Sequence, residues 1–221
     1  MPGEEKKQDL VLKAEQLLRA GQREEAATIL AELLKSMPKG WKPVQKRKDG
    51  IAIHFWDQME FFSYVAYIQQ KDSKDKRNVT WETPSYSKAY YLVAFLAVEE
   101  GNWQKGLELI DSALKLEPDH PTLLCEKALI LGRLGKHKEA LAIYQAATRT
   151  REWAPVDQHA RAMRGAAIAL IDLGKLEEAE NLLRESLKLE PTSKVALNEL
   201  AYIEKLKGGA KPTTDYDLVR K

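Results

Sequence analysis

Residues 133–141, RLGKHKEAL, decide the fold because closely related phrases stand at three other places in the chain. These are residues 19–27 (RAGQREEAA), 99–107 (EEGNWQKGL) and 172–180 (DLGKLEEAE). The glycines of the phrases that begin at 99 and 133 lie 34 residues apart, and the next glycine follows after 39 residues. Recurrence at such an interval predicts a protein built from stacked structural repeats.

Each phrase predicts two helices joined by a short turn. Its glycine can adopt the left-handed conformation that ends the first helix. In the second helix a small residue is followed four places later by a large one, so that two helices can approach closely while the large side chain fills the neighbouring space. These pairs are Ala26 and Leu30, Gly106 and Ile110, Ala140 and Tyr144, and Ala179 and Leu183. Three copies end on a proline, which cannot continue a helix: Pro38, Pro118 and Pro191.

The first helices of these pairs resemble the tetratricopeptide repeat, whose signature is W-x2-L-G-x2-Y, then A-x3-F, then P over 34 residues. The matching positions hold Tyr90, Val93, Ala94 and Ala97, then Leu124, Lys127, Ala128 and Leu131, then Met163, Ala166, Ala167 and Leu170. The large first residue and the small residue at the glycine position are kept, whereas the family's tryptophan and tyrosine are replaced. The resemblance implies an all-α fold, a right-handed superhelix of antiparallel helix pairs.

The repeats and the segment between them predict four regions. Residues 7–40 form an N-terminal helix pair, 41–86 an irregular insert, 87–206 three repeat units with a C-terminal capping helix, and 207–221 a flexible tail. The insert is either a worn repeat or a foreign segment. Within it, residues 51–56 (IAIHFW) favour an extended run, and residues 58–70 an apolar helix. Asp57 and Glu60 are placed to form a capping box for that helix.

The resemblance also implies a concave groove, lined by fixed positions of each first helix. Carried over to this sequence, eight groove positions are Lys88, Tyr91, Phe95, Cys125, Leu129, Arg161, Arg164 and Ile168. The lysines and asparagines with which the family clamps a peptide's terminal carboxylate are absent from the matching positions. We therefore expect a protein-interaction module, an adaptor or assembly scaffold, that binds an apolar or amphipathic peptide, with the arginines pairing to an acidic side chain or C-terminus.

Two alternatives stay open for the groove. In one, residues 51–70 of the chain itself lie in the groove and fill it. In the other, the aromatic insert, with Phe55, Trp56, Phe61 and Phe62, packs against a second copy and the chain is a self-associating homodimer.

An enzyme is the competing class, but the residues offer no catalytic site. Nothing in the sequence places His120 as a base against Cys125, or a third group to orient it. The four histidines have no metal-ligand spacing and are expected at the surface or in turns. The sequence therefore predicts neither catalysis nor a metal or cofactor.

Composition restricts the partners further. The 35 basic and 33 acidic residues nearly cancel, which argues against nucleic acid or membranes as partners. The basic run 39–48 with Trp41 could hold a nucleic acid, but a solvated loop is favoured. A single cysteine excludes an intramolecular disulfide, the start MPGEEKKQDL lacks the apolar stretch of a signal peptide, and residues 89–98 are too few to span a bilayer. The expected compartment is the cytoplasm.

Overall fold

The computed structural model describes residues 9–72, 74 and 77–212, which form two compact units. The first unit ends at Pro118 and the second begins at Asp119. This boundary falls inside the block predicted at 87–206. Residues 7 and 8 of the predicted N-terminal pair and 213–221 of the predicted tail lie outside the described residues.

The regular structure of the described residues consists of helices, as the repeat pattern predicted, and one small sheet. The first unit contains α1 (Leu10–Arg19), α2 (Arg23–Lys35), β1 (Val44–Arg47), β2 (Gly50–Ile53), α3 (Gln58–Lys71), β3 (Asn78–Trp81), α4 (Tyr86–Glu99) and α5 (Trp103–Leu116). The second unit contains α6 (Pro121–Arg133), α7 (His137–Ala147), α8 (Val156–Asp172), α9 (Leu176–Leu189) and α10 (Lys194–Lys207). In the part of the chain that the structure describes, no helix is long and apolar enough to cross a membrane.

The four phrase glycines end helices in the way their positions predicted. Gly21, Gly101, Gly135 and Gly174 have φ values of 77°, 77°, 75° and 73°, in the left-handed region. The amide three places after the end of α6, that of Lys136, donates to the carbonyl of Leu131, and the other three turns repeat this bond. Each turn thereby satisfies carbonyls that the ending helix leaves without an intrahelical partner.

In the first unit, α1 and α2 pack directly on α4 although the insert separates them in sequence. Ala26 and Leu30 of α2 are completely buried, and they share one apolar cluster with Tyr86, Ala89 and Leu92 of α4. The insert therefore leaves the stacking of consecutive helix pairs unbroken.

The second unit is built around α8, which packs against α6, α7, α9 and α10. Ala179 and Leu183 of α9 are fully buried and join Ala167 of α8 and Ile203 of α10 in one core. Helix α8 begins at Val156, one turn before the unit start expected at Ala160. The extra residues before α8 form a turn in which the Arg151 guanidinium holds the Asp119 carboxylate, with nitrogen–oxygen distances of 3.0 and 3.1 Å.

The insert folds into a three-stranded sheet and one helix. Strand β1 pairs antiparallel with β2, and β3 adds to the other side of β2 in parallel. The extended run expected at 51–56 is a strand only as far as Ile53. Asp57 Oδ1 accepts a hydrogen bond from the Glu60 amide at 3.0 Å, and Glu60 Oε2 accepts one from the Trp56 amide at 3.0 Å. This is the predicted capping box, with the returning bond made one residue earlier than usual.

Candidate functional site

A cavity of about 580 Å³ lies in the second unit, and we call it the groove cavity. Its walls come from α6, α8 and α10, with side chains from α7. On α8 the lining residues recur every three or four places, which puts them on one face of the helix. Glycines at positions 132 and 165 and several alanines leave room there, so most of the lining is apolar.

Four of the eight predicted groove residues line this cavity. They are Leu129, Arg161, Arg164 and Ile168, all partly exposed. Cys125 does not line it, since it is 1% exposed and presents no surface to a peptide. Burial raises the pKa of the Cys125 thiol to about 12, while the positive charges of Arg161 and Arg164 act in the opposite direction. Cys125 is thus a small apolar core residue.

Both arginines of the cavity are already paired with carboxylates of the chain. Arg161 bonds to Glu126 of α6, and Arg164 bonds to Glu190 at the end of α9. The Arg164 side chain is 13% exposed and that of Glu190 is 37% exposed, so the guanidinium is the more buried partner. A ligand carboxylate would therefore have to displace a carboxylate of the protein to reach this guanidinium, which weakens the case for the expected acidic ligand group.

Carboxylates of α8 and α10 lie elsewhere in the groove cavity. Asp172 Oδ2 is 3.1 Å from Nδ1 of His137, at the start of α7. Glu199 is 5% exposed and forms neither a hydrogen bond nor an ion pair with any described residue. Burial, and secondarily the negative charge of Asp172, raise the pKa of the Glu199 carboxyl from 4.5 to about 7. The cavity therefore holds one buried acidic group without a counter-ion.

The other predicted groove residues, Lys88, Tyr91 and Phe95, lie on α4 of the first unit. Lys88 Nζ donates to Glu15 Oε2 at 2.9 Å and to the backbone oxygen of Trp56 at 2.7 Å. The Trp56 ring lies against the Tyr91 ring with centroids 5.2 Å apart, whereas Phe95 is 41% exposed. Part of the insert thus covers two of the three positions on this helix.

A buried polar cluster fixes this part of the insert. Trp56 Nε1 donates to Ser87 Oγ at 3.1 Å and to Glu117 Oε1 at 3.2 Å, and the Ser87 hydroxyl also bonds to Glu117. Glu117 and Ser87 are 4% and 0% exposed. Because each buried polar atom is costly without a partner, these bonds favour one position of Trp56.

Three other sequence expectations concern residues outside the groove. The expectation that the histidines lie at the surface or in turns is wrong for His54, which is 7% exposed; His120 lies in the connection between α5 and α6, where it is fully buried. Burial lowers the pKa of His54.

Trp41 of the basic run packs edge-on against His54 and Tyr86, with ring centroids 5.0 and 5.1 Å away, so its ring is not free to stack on a nucleic-acid base. Within 9–72, 74 and 77–212, no three His, Cys, Asp or Glu residues cluster as metal ligands do.

The contribution of α10 to the cavity was missing from the sequence interpretation, which treated this helix as a cap. Yet Leu197 and Ala201 stand 34 residues after Met163 and Ala167 and repeat their spacing. This signal identifies α10 as a further first helix, and its register places Glu199 where groove residues are found.

The family model of the tetratricopeptide repeat matches residues 119–190. No curated protein matches the chain. Among solved structures, Pseudomonas aeruginosa PilF has a TM-score of 0.59 at 14% identity, over 90% of this chain and 68% of that one. The Sgt2 TPR domain of Aspergillus fumigatus has a TM-score of 0.50 at 20% identity, over 60% of this chain and 89% of that one.

A third similar structure is the first TPR of Spaghetti (RPAP3), bound to the HSP90 peptide SRMEEVD. Its TM-score is 0.50 at 22% identity, over 57% of this chain and 97% of that one. At these identities the three structures show the fold alone, and the matched segment 119–190 contains α6 to α9. The glycine turns, the helix pairs and these matches agree: residues 119–190 match the tetratricopeptide repeat, and the chain has the fold of a tetratricopeptide repeat solenoid.

Proposed function

We propose that the chain is a protein-interaction module that binds an apolar or amphipathic peptide segment in the groove cavity. The observation that carries this proposal is the cavity itself, about 580 Å³ in volume and mostly apolar in its lining. Concave apolar sites with a few polar groups are the usual form of a ligand site. An amphipathic helix or extended segment could place apolar side chains on Leu129 and Ile168.

The polar groups of the cavity argue for a ligand unlike the one bound by the Spaghetti domain. That structure holds SRMEEVD, an acidic peptide. Here Arg161 and Arg164 are engaged by Glu126 and Glu190. Binding energy would thus come mainly from apolar burial, at about 25 cal/mol for each Å² removed from water.

Gly132 offers a direct way to test the groove. A Cβ built on Gly132 meets nothing within 4 Å and Gly132 lines the cavity, so Gly132→Trp would start a large side chain from open space at the cavity wall. We would select short random peptides displayed on phage against the native chain, and measure binding of the enriched peptides by fluorescence anisotropy. We expect sequences rich in apolar residues, with binding lost in Gly132→Trp.

The matched control is Gln145→Trp, which adds a tryptophan at an exposed position of α7 outside the cavity lining. It should bind the selected peptides as the native chain does, and both variants should keep the native circular dichroism. Equal binding by the native chain and by Gly132→Trp would reject the groove cavity as the binding surface.

A second candidate function is self-association through the insert, while Trp56 of the insert covers Lys88 and Tyr91 of α4 within the same chain. Self-association is favoured by Met59 and Phe62 on α3, which are 62% and 59% exposed. Exposed apolar side chains on one helix often belong to an interface. Light scattering that shows a concentration-dependent mass, abolished by Phe62→Ser, would support this function, and a monomer at all concentrations would reject it.

A further inference from the structure

The charges of the groove cavity are divided between two regions. Arg161 and Arg164 act on the Cys125 thiol, which places their charges on the α6 side of the cavity. The charge that acts on the Glu199 carboxyl is that of Asp172, and no cation of the cavity contributes to lowering its pKa. The arginines of the cavity are therefore paired within the chain, whereas Glu199 of α10 has no such partner among the described residues, although Lys205 and Lys211 also line the cavity.

Glu199 is the part of this arrangement that needs an explanation. The residue is 5% exposed, it lines the cavity, and it has no hydrogen bond or ion pair with any residue that the structure describes. An ionised carboxylate in such a place is unfavourable unless a counter-charge or hydrogen-bond donors reach it. Asp172 beside it makes the local potential more negative. A cation entering the cavity would relieve both effects.

We propose that Glu199, supported by Asp172, receives the cationic head of a lysine or arginine side chain of the peptide bound in the groove cavity. This inference rests on the function proposed above and specifies its ligand. The aliphatic stem of the basic side chain would lie on the apolar floor near Ile168 and Ile171, as such stems do on apolar surfaces. An acidic side chain beside Glu199 would add a further negative charge next to the carboxyl whose pKa Asp172 already raises.

The ligand class is thus an apolar segment that carries a basic residue. Its cation would give the Glu199 carboxylate a charge-assisted hydrogen bond, which is stronger than one between neutral groups. Specificity would follow from the penalty on neutral or acidic residues, which leave the buried carboxylate unpaired.

The test uses one peptide enriched in the phage selection, labelled with fluorescein and synthesised with lysine, norleucine or glutamate at its basic position. Norleucine keeps the apolar stem and removes the charge. We expect the native chain to bind the lysine form at least about tenfold more tightly than the norleucine form, the ratio typical of a hydrogen bond to a charged group. Glutamate should bind least.

Glu199→Gln keeps the size of the side chain and should abolish the preference for lysine over norleucine. The matched control is Glu204→Gln, which removes a carboxylate from an exposed position of the same helix and should keep the preference. Equal binding of the lysine and norleucine forms to the native chain would overturn the inference, as would a preference that survives in Glu199→Gln.

The outcome also separates this inference from the proposed function. Selected peptides that lose binding in Gly132→Trp but have no basic position would refute the cation site and leave the groove function standing. Selected peptides that bind Gly132→Trp unchanged, or a selection that enriches none, would overturn both.

Discussion

Replacing Glu199 by glutamine should stabilise the protein at alkaline pH and have little effect at acidic pH. The pKa of this carboxyl is 4.5 in an unperturbed chain and about 7 in the folded protein. Because the folded pKa is raised, the stability that Glu199 contributes is fully present below about pH 4.5 and is lost as the pH rises through about 7. Glutamine cannot ionise, so the Glu199→Gln variant does not lose this stability as the pH rises.

The size of the effect follows from the same shift. A difference of about 2.5 pKa units corresponds to about 3 kcal/mol at about 1.36 kcal/mol per unit. Since the carboxyl lines an open cavity, water reduces this value, and we expect about 1–2 kcal/mol. The gain of Glu199→Gln over the native chain should therefore grow by that amount between about pH 4.5 and about pH 8.

The assay is urea unfolding followed by circular dichroism for the two proteins at both pH values. Titrating groups that do not interact with Glu199 are common to both chains, so they cancel in the difference. Glu204→Gln, on the exposed side of α10, should show no such growth. A gain that is the same at both pH values, or a loss of stability in Glu199→Gln at alkaline pH, would refute the reasoning that this carboxylate is buried without a counter-ion.

Three further predictions concern packing and reactivity. A Cβ at Gly165 would overlap the Tyr144 ring, whereas one at Gly132 has open space. Gly165→Ala should lower the free energy of unfolding by about 1–2 kcal/mol, and Gly132→Ala should raise it by about 0.5–1 kcal/mol. Both values can be measured by urea unfolding. Equal shifts for the two variants would contradict the close approach of α7 to α8. Ala140 is 1% exposed, so Ala140→Leu should overpack its site and cost about 1–3 kcal/mol, and an unchanged melting curve would contradict the repeat register. The Cys125 thiol, with a pKa of about 12 and 1% exposure, should react with Ellman's reagent only after denaturation, and rapid reaction of the native protein would show that the site opens.

The helix pairs could be predicted because their signals are local. Each turn is marked by a glycine that needs positive φ, and each second helix by a small and a large residue one turn apart. Ala179 and Leu183 are both 0% exposed, as this pattern required. Such signals survive in a single sequence because neighbouring residues of one helix produce them.

The sheet of the insert was missed because its signals are not local. All four residues of β1 are exposed, so the strand has no alternation of apolar and polar residues. Strand β3 pairs in parallel with β2, and Asn78 stands opposite Gly50, far from it in sequence. His54 was expected at the surface or in a turn because its packing against Trp41 joins residues that are not neighbours in sequence.

For a similar reason, the sequence predicted the positions of several groove residues but not their partners or their burial. Register within a helix placed Arg161, Arg164 and Ile168 on the cavity wall, but it could not show that Glu126 and Glu190 pair with the arginines. Nor could it show that Cys125, at an equivalent place on α6, is buried. Which side chains meet across helices depends on packing, and the periodicity of one helix does not contain that information.

The direct packing of α2 on α4 bears on how a chain of this kind can change in length. In a solenoid, stability is approximately a sum of terms within repeats and terms between nearest neighbours. An addition that leaves the α2–α4 interface intact removes none of these terms, and its entropic cost rises only with the logarithm of loop length. A junction between repeats is therefore a permissive place for evolution to add sequence. The segment at 41–86 occupies such a junction and is held there by contacts of its own, among them the hydrogen bond from the indole nitrogen of Trp56 to Glu117.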